Sequence, residues 1–256
     1  MQSIPQFVLD LAYGVAIGAA LGLTGSGGSI LAVPALVYLV GLDVHAAIGT
    51  SLAIVGGIAT EGFLEQRDNV QWKAGLLLGA CGIAGNIPGS LLSPYFSGSS
   101  LLLLFSGIMV AASIAMLRSR GSEAAPDTTA PLWLAVAAGV GLGFLTGFLG
   151  VGGGFLIVPT MVFAFASAMP SAIATSLLVI AINSFLALAT RFATASVDWS
   201  VVAAFLLGGI AGSAAASMLV HRLDQRRLKR IFAVFILLVG LFTAASATGL
   251  IPIRVK

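Results

Sequence analysis

Apolar residues run almost without a break from Phe7 to Gly249, in long stretches separated by short polar interruptions. An α-helix needs about 20 apolar residues to cross a hydrocarbon core about 30 Å thick. These stretches run largely apolar along their length instead of alternating every second residue, so they predict membrane helices and not barrel strands. In the first half they are Phe7 to Val40, His45 to Phe63, Trp72 to Leu92 and Ser99 to Leu117. In the second they are Leu132 to Ala166, Pro170 to Arg191, Trp199 to Val220 and Leu228 to Leu250. The first stretch of each set is about 34 residues long, too long for one crossing, and has glycines near its middle. Two short helical legs joined at the glycines, a hairpin, are therefore expected in each half.

The two sets are copies of one unit. Gly22-Leu-Thr-Gly-Ser-Gly-Gly-Ser-Ile-Leu-Ala-Val-Pro34 aligns with Gly147-Phe-Leu-Gly-Val-Gly-Gly-Gly-Phe-Leu-Ile-Val-Pro159 at a spacing of 125 residues. The same spacing carries Ala47 to Leu52 onto Ala172 to Leu177, and after a two-residue slip Trp72 matches Trp199 and Gly85 matches Gly212. The expected organisation is a membrane repeat over 1–118, a cytoplasmic linker over 119–131 and a second membrane repeat over 132–256.

Charge sets the orientation. The segment from His221 to Arg230 carries five Lys and Arg residues and should be cytoplasmic, whereas its counterpart, Ser93 to Ser100, carries none. Equivalent loops then face opposite sides, which requires an odd number of crossings per half. A two-legged hairpin plus three spans gives five. Arg118, Arg120, Arg67 and Lys73 also fall inside, and Arg254 and Lys256 are left on the outer side. The fold class is thus all-α integral membrane: two inverted repeats, each a glycine-broken helical hairpin plus three transmembrane helices.

Composition agrees, with 59% hydrophobic and 8% charged residues, where soluble domains are about a quarter charged. The net charge of +3 does not point to nucleic acid, because the basic residues gather at the ends of apolar segments. Cys81 stands alone in an apolar run, which excludes a disulfide framework or a Cys-rich metal site and fits a small packing residue. Met1 to Asp10 lacks the basic region of a cleavable signal peptide and is read as the start of the mature protein.

Helix breaks at matching positions of inverted repeats point to a transport site near the midplane. Here they are Gly25-Ser26-Gly27-Gly28-Ser29 and Gly150-Val151-Gly152-Gly153-Gly154. Consecutive glycines opening a helix present several N–H groups at its positive end, an arrangement suited to anions. Thr50, Ser51, Thr175 and Ser176, early in the span after each hairpin, have hydroxyls that can donate to an anion, although such hydroxyls commonly bond their own helix carbonyls instead. Asn183 is a further candidate ligand. Asn86 fits better as a link between helices, and so on balance does Asn183. Arg191 closes its span, where it either snorkels to the interface or attracts the anion. Gly75, Gly79, Gly82, Gly85, Gly89, Gly208, Gly209 and Gly212 are assigned to helix packing. Glu61, followed closely by Glu65, Arg67 and Asp68, reads as a solvated helix end. His45 and His221 lie in expected loops without metal-site neighbours. No nucleophile stands beside a base and no carboxylates pair within a span, so the chain is not read as an enzyme.

The doubled Gly-x-Gly-Gly-x-x-x-x-Val-Pro pattern, at Gly25 to Pro34 and Gly150 to Pro159, with the Thr-Ser pairs that follow, resembles the sulfite exporter TauE/SafE family over essentially the whole chain. The resemblance implies movement of sulfite, an organosulfonate or a related sulfur-containing anion across the bacterial cytoplasmic (inner) membrane. Members differ in substrate and direction. Thr24, Ser26 and Ser29 face Leu149, Val151 and Gly154 in the repeat, so the two half-sites are chemically unequal. No cofactor or metal is expected. The expected partners are a small-molecule anion and the lipid bilayer, with no nucleic acid and a homodimer left open. Export is favoured, because an anion leaving a negatively charged interior gains about 2.3 kcal/mol per charge per 100 mV. An anion channel, a coupled uptake permease for another small anion and a membrane scaffold are the alternatives.

Overall fold

The computed structural model describes residues 4–24, 27–118, 132–149, 154–165, 167–191, 196–220 and 225–248. Among these residues the chain is all-helical. The first half supplies α1 (Ile4–Thr24), α2 (Gly27–Ala35), α3 (Val44–Glu65), α4 (Trp72–Leu92) and α5 (Gly98–Arg118). The second supplies α6 (Leu132–Leu149), α7 (Gly154–Ala164), α8 (Met169–Arg191), α9 (Trp199–Val220) and α10 (Gln225–Ala247). Among the described residues six helices, α1, α3, α4, α5, α8 and α9, contain segments long and apolar enough to cross a membrane, and shorter apolar stretches lie in α2, α6 and α10. The expected linker over 119–131 lies outside the described residues.

The hairpins differ from expectation in one respect: their two legs are unequal. α1 has 21 residues, whereas α2 has 9 and continues into a five-residue π-turn, Leu36–Val40. In the second half α6 has 18 residues and α7 has 11. At 1.5 Å per residue α7 is about 16 Å long, roughly half of the hydrocarbon thickness. Pro34 and Pro159 sit inside α2 and α7 at matching positions, each removing one backbone donor. The π-turn ends at Gly41, whose φ of 81° would strain any residue with a side chain. Past it, the Leu42 N–H donates to the Leu36 carbonyl at 3.0 Å, and Ser167 N–H repeats the bond to the Met161 carbonyl at 3.0 Å.

Helices pair across the halves. α1 packs along α9 and α4 along α6, while the equivalent helices α3 and α8, and α5 and α10, pack on each other. Small residues set these seams. Gly14, Gly18 and Gly22 of α1 lie in turn against Phe205, Gly209 and Ser213, so α1 and α9 run parallel. Gly139, Gly143 and Gly147 of α6 lie against Cys81, Gly82 and Asn86, so α6 and α4 run parallel as well. A side chain on Gly18 would collide with the Gly209 carbonyl, and one on Gly143 with the Gly82 carbonyl. Gly82, Gly85, Gly89, Gly208, Gly209 and Gly212 thus have the packing role expected of them, and Gly75 and Gly79 abut Leu178 and Ile182 of α8. Cys81 belongs to the same seam.

The remaining two pairs run the other way. Gly56 meets Ser184 and Gly62 meets Leu177, which makes α3 and α8 antiparallel. In α5 and α10, Gly240 meets Met109 while the Ser113 hydroxyl donates to the Ala233 carbonyl at 2.6 Å, again antiparallel. α3 and α8 form the centre of the bundle: 72% of each spanning window is buried, against 33% in α1.

Candidate functional site

Asn183 lies opposite the middle of α3, since its neighbour Ser184 faces Gly56. Its side chain is completely buried, and neither atom of the amide has a hydrogen-bond partner among the described residues. It fits there because Gly82 of α4 has no side chain; a Cβ at Gly82 would come within 2.8 Å of the amide nitrogen. The Ser184 hydroxyl, also buried, has no partner either. Asn86 is engaged instead: its Nδ2 donates to the Asn183 carbonyl at 3.0 Å and its Oδ1 accepts from the Ser90 hydroxyl at 3.1 Å. The linking role expected of Asn86 is therefore observed, whereas the Asn183 amide links nothing. An unsatisfied buried polar group costs about 1–3 kcal/mol, a cost that a bound polar ligand removes.

Thr50 and Thr175 are completely buried and make one reciprocal contact. The Thr50 hydroxyl oxygen accepts the backbone N–H of Asp198 at 3.2 Å, and the Thr175 oxygen accepts that of Gln71 at 2.9 Å. Each hydroxyl thereby holds the approach to a helix of the other half, α9 or α4, and keeps its own proton for a second partner. Gln71 and Asp198 were not singled out from the sequence, although the available signal was that each directly precedes the matched tryptophans Trp72 and Trp199. The Gln71 side chain also accepts from the Ser167 hydroxyl at 2.9 Å. Because α3 and α8 are antiparallel, Thr50 and Thr175 sit toward opposite ends of the pair, and the fold does not bring them together.

Ser51 and Ser176 are buried and donate to the carbonyls of Ile48, at 2.8 Å, and Ile173, at 2.7 Å. These bonds engage the hydroxyl protons that an anion would need. Gly27, Gly28 and Ser29 open α2 and Gly154 opens α7, and the two short helices pack against each other. Gly25, Ser26, Gly150, Gly152 and Gly153 lie outside the described residues. Arg191 is the last residue of α8, at the end where Thr50 meets Asp198. Asp198 caps α9: it accepts from the Ser200 hydroxyl at 2.6 Å and from the backbone N–H groups of Ser200 and Val201. The Ser200 hydroxyl foremost, with the two N–H groups, holds its carboxyl below the usual range against the opposing effect of burial.

Glu61 departs from the solvated helix end that the sequence suggests. It is only half-exposed, and its Oε2 is buried without a hydrogen-bond partner. The Ser213 hydroxyl of α9, 1% exposed and itself unpartnered, and the Glu65 carboxylate lie beside it. Ser213 backs onto Gly22, three residues before the first glycine break.

Comparison with known proteins matches the chain to a family and to named relatives. The family model described as "Sulfite exporter TauE/SafE" matches residues 11–243. A probable membrane transporter protein of Xylella fastidiosa (strain Temecula1 / ATCC 700964) is 34% identical, covering 94% of this chain and 95% of that one. Its counterpart in strain 9a5c is 32% identical with the same coverage. The probable membrane transporter protein YunE of Bacillus subtilis (strain 168) is 26% identical, covering 91% of this chain and 96% of its own length. No solved structure gives a significant match.

Proposed function

The chain belongs to the sulfite exporter TauE/SafE family, and from that membership we propose that it moves a small sulfur-containing anion, sulfite or an organosulfonate, out of the cell. It is a multi-pass protein of the cytoplasmic membrane and a transporter, not an enzyme. The observation that carries the anion site is the Asn183 amide, completely buried at the middle of the α3–α8 pair with neither atom bonded. Its two N–H donors suit an oxyanion. Glycine-opened α2 and α7, packed on each other, add main-chain donors from the two breaks, Gly25 to Ser29 and Gly150 to Gly154. Thr50 and Thr175 guard opposite ends of the path with their remaining hydroxyl protons, and Arg191 draws the anion toward the Thr50 end.

The repeats are inverted across the bilayer in this reading. Its support is the antiparallel run of α3 against α8 and α5 against α10, together with the contrast between the basic segment up to Arg230 and the uncharged segment Ser93 to Ser100. Export follows from the membrane potential: an anion leaving the negative interior gains about 2.3 kcal/mol per charge per 100 mV.

Thermal unfolding of purified protein against sulfite, sulfonates, thiosulfate, sulfate and carboxylates tests the proposal. The right anion stabilises the folded state by about 2.7 kcal/mol at a hundredfold excess over Kd. Asn183→Leu, which fills the same space without donors, should fold and lose that stabilisation. A folded Asn183→Leu protein that sulfite or its analogues stabilise as well as the parent would place the anion elsewhere.

A further inference from the structure

Glu61 and Ser213 form a second polar locus that the anion site does not use. Glu61 lies inside the spanning segment Val44–Glu65, one helical turn from the end of α3. Its Oε2 is covered and unbonded, and Ser213, 99% buried, presents an unbonded hydroxyl on the facing α9. The Ser213 Oγ stands 3.3 Å from the position a Cβ on Gly62 would take, which fixes it against the turn that carries Glu61. Among the described residues, no Lys or Arg lies beside this carboxylate on the helices packed on α3. α9 has no ionisable residue between Trp199 and Val220, and α2 has none. α1 brings Asp10 and Tyr13 more than two turns before Gly22, and α8 ends in Arg191 at the Thr50 end of the pair. Tyr38, in the π-turn, stacks edge-on to Phe242. Glu65 is the ionisable neighbour, and Arg67 in the next turn lies 4.0 Å from Asp68.

The repeat does not duplicate this locus. At the spacing of 125 residues Glu61 corresponds to Leu186, and at 127 Ser213 corresponds to Asn86. Asn86 backs onto Gly147 as Ser213 backs onto Gly22, but its side chain is satisfied by Ser90 and the Asn183 carbonyl. The equivalent locus therefore satisfies its polar side chain, whereas this one leaves a carboxylate and a hydroxyl open beside the approach to the first glycine break.

We propose that Glu61, set against Ser213, is a proton-binding site whose occupancy is coupled to that of the anion, one proton per chain. A charged carboxylate near the hairpin disfavours an incoming anion, and an anion in place favours the protonated carboxyl. The two affinities must then change each other by the same factor. The coupling rests on the anion reading above, whereas the proton site does not.

Dicyclohexylcarbodiimide, which modifies protonated carboxyls in apolar surroundings, tests the site without a transport substrate. Peptide mass spectrometry of the parent protein should find it on Glu61, with a yield rising several-fold as pH falls from about 9 to about 5. Sulfite should shift that titration toward higher pH. Glu61→Gln, which keeps the shape of the side chain, should remove the part of the pH dependence of sulfite-induced thermal stabilisation that follows the labelling curve. Absent or pH-invariant labelling at Glu61 overturns the proton site, as does labelling suppressed by Na⁺ at constant pH, which would mark a metal-cation site. A Glu61→Gln protein with the parent's pH profile overturns the coupling. Labelling that titrates while sulfite stabilises the parent at no pH sinks the anion reading, and the coupling with it, and leaves the proton site standing.

Discussion

Thr175 takes the N–H of Gln71 and Thr50 that of Asp198, so at two points a single hydroxyl joins a helix of one half to the start of a helix of the other. Valine at either position keeps the shape and leaves a backbone donor without its acceptor. Thr50→Val and Thr175→Val should each lower stability by about 1 kcal/mol, within the range measured for hydrogen bonds between membrane helices. Their effects should add, because the sites lie at opposite ends of the α3–α8 pair. Thermal unfolding of the two single variants and the double variant decides it; unchanged midpoints would mean that the bonds contribute nothing. Asp198 gives a pH signature at the same scale. Its folded-state pKa is lowered, so it contributes stability above the ordinary carboxylate pKa of about 4, and the contribution is lost as pH falls through the lowered value. Asp198→Asn retains a helix cap and should flatten this acid limb of the stability curve.

Between helices, space is the quantity that the glycines control. A Cβ on Gly18 or Gly85 would meet main-chain atoms of the neighbouring helix, whereas one on Gly107 or Gly141 would meet nothing within 4 Å. Gly18→Ala and Gly85→Ala should therefore cost about 1–3 kcal/mol by overpacking, and Gly107→Ala and Gly141→Ala should cost nothing by that route. Equal melting shifts in both pairs would refute the seam. Much of this level can be read from the chain itself, because apolar run length locates the helices and the 125-residue repeat locates both hairpins. The unequal legs cannot: hydropathy counts residues and does not show where a helix changes or ends, as α2 does at Ala35 and α7 at Ala164. The same limit applies to the site. The duplicated glycines and the Thr-Ser pairs are visible as a pattern, but the partners of Thr50 and Thr175 depend on the antiparallel register of α3 on α8. The open valences of Asn183 and Glu61 depend on what happens not to stand next to them.

For the whole molecule, the proposed inversion has a direct consequence. In a Cys81→Ser background, single cysteines at Ser97 and Gln225 should react with an impermeant thiol reagent from opposite faces of the membrane; reaction from the same face would exclude inverted repeats. The exchanged pairing of α1 with α9 and α6 with α4 also bears on how the chain is made. A ribosome feeding the membrane at about 5–20 residues per second completes α9 on the order of 10–40 s after α1 has emerged. Throughout that interval α1 has α2 beside it but lacks its main partner, and its bare glycine edge faces lipid or whatever insertion machinery attends it. α4 waits only for α5, the linker and α6. Biogenesis is thus lopsided between two glycine seams that resemble each other in the finished protein, and pulse-chase protease protection should find the first helix the last to become resistant.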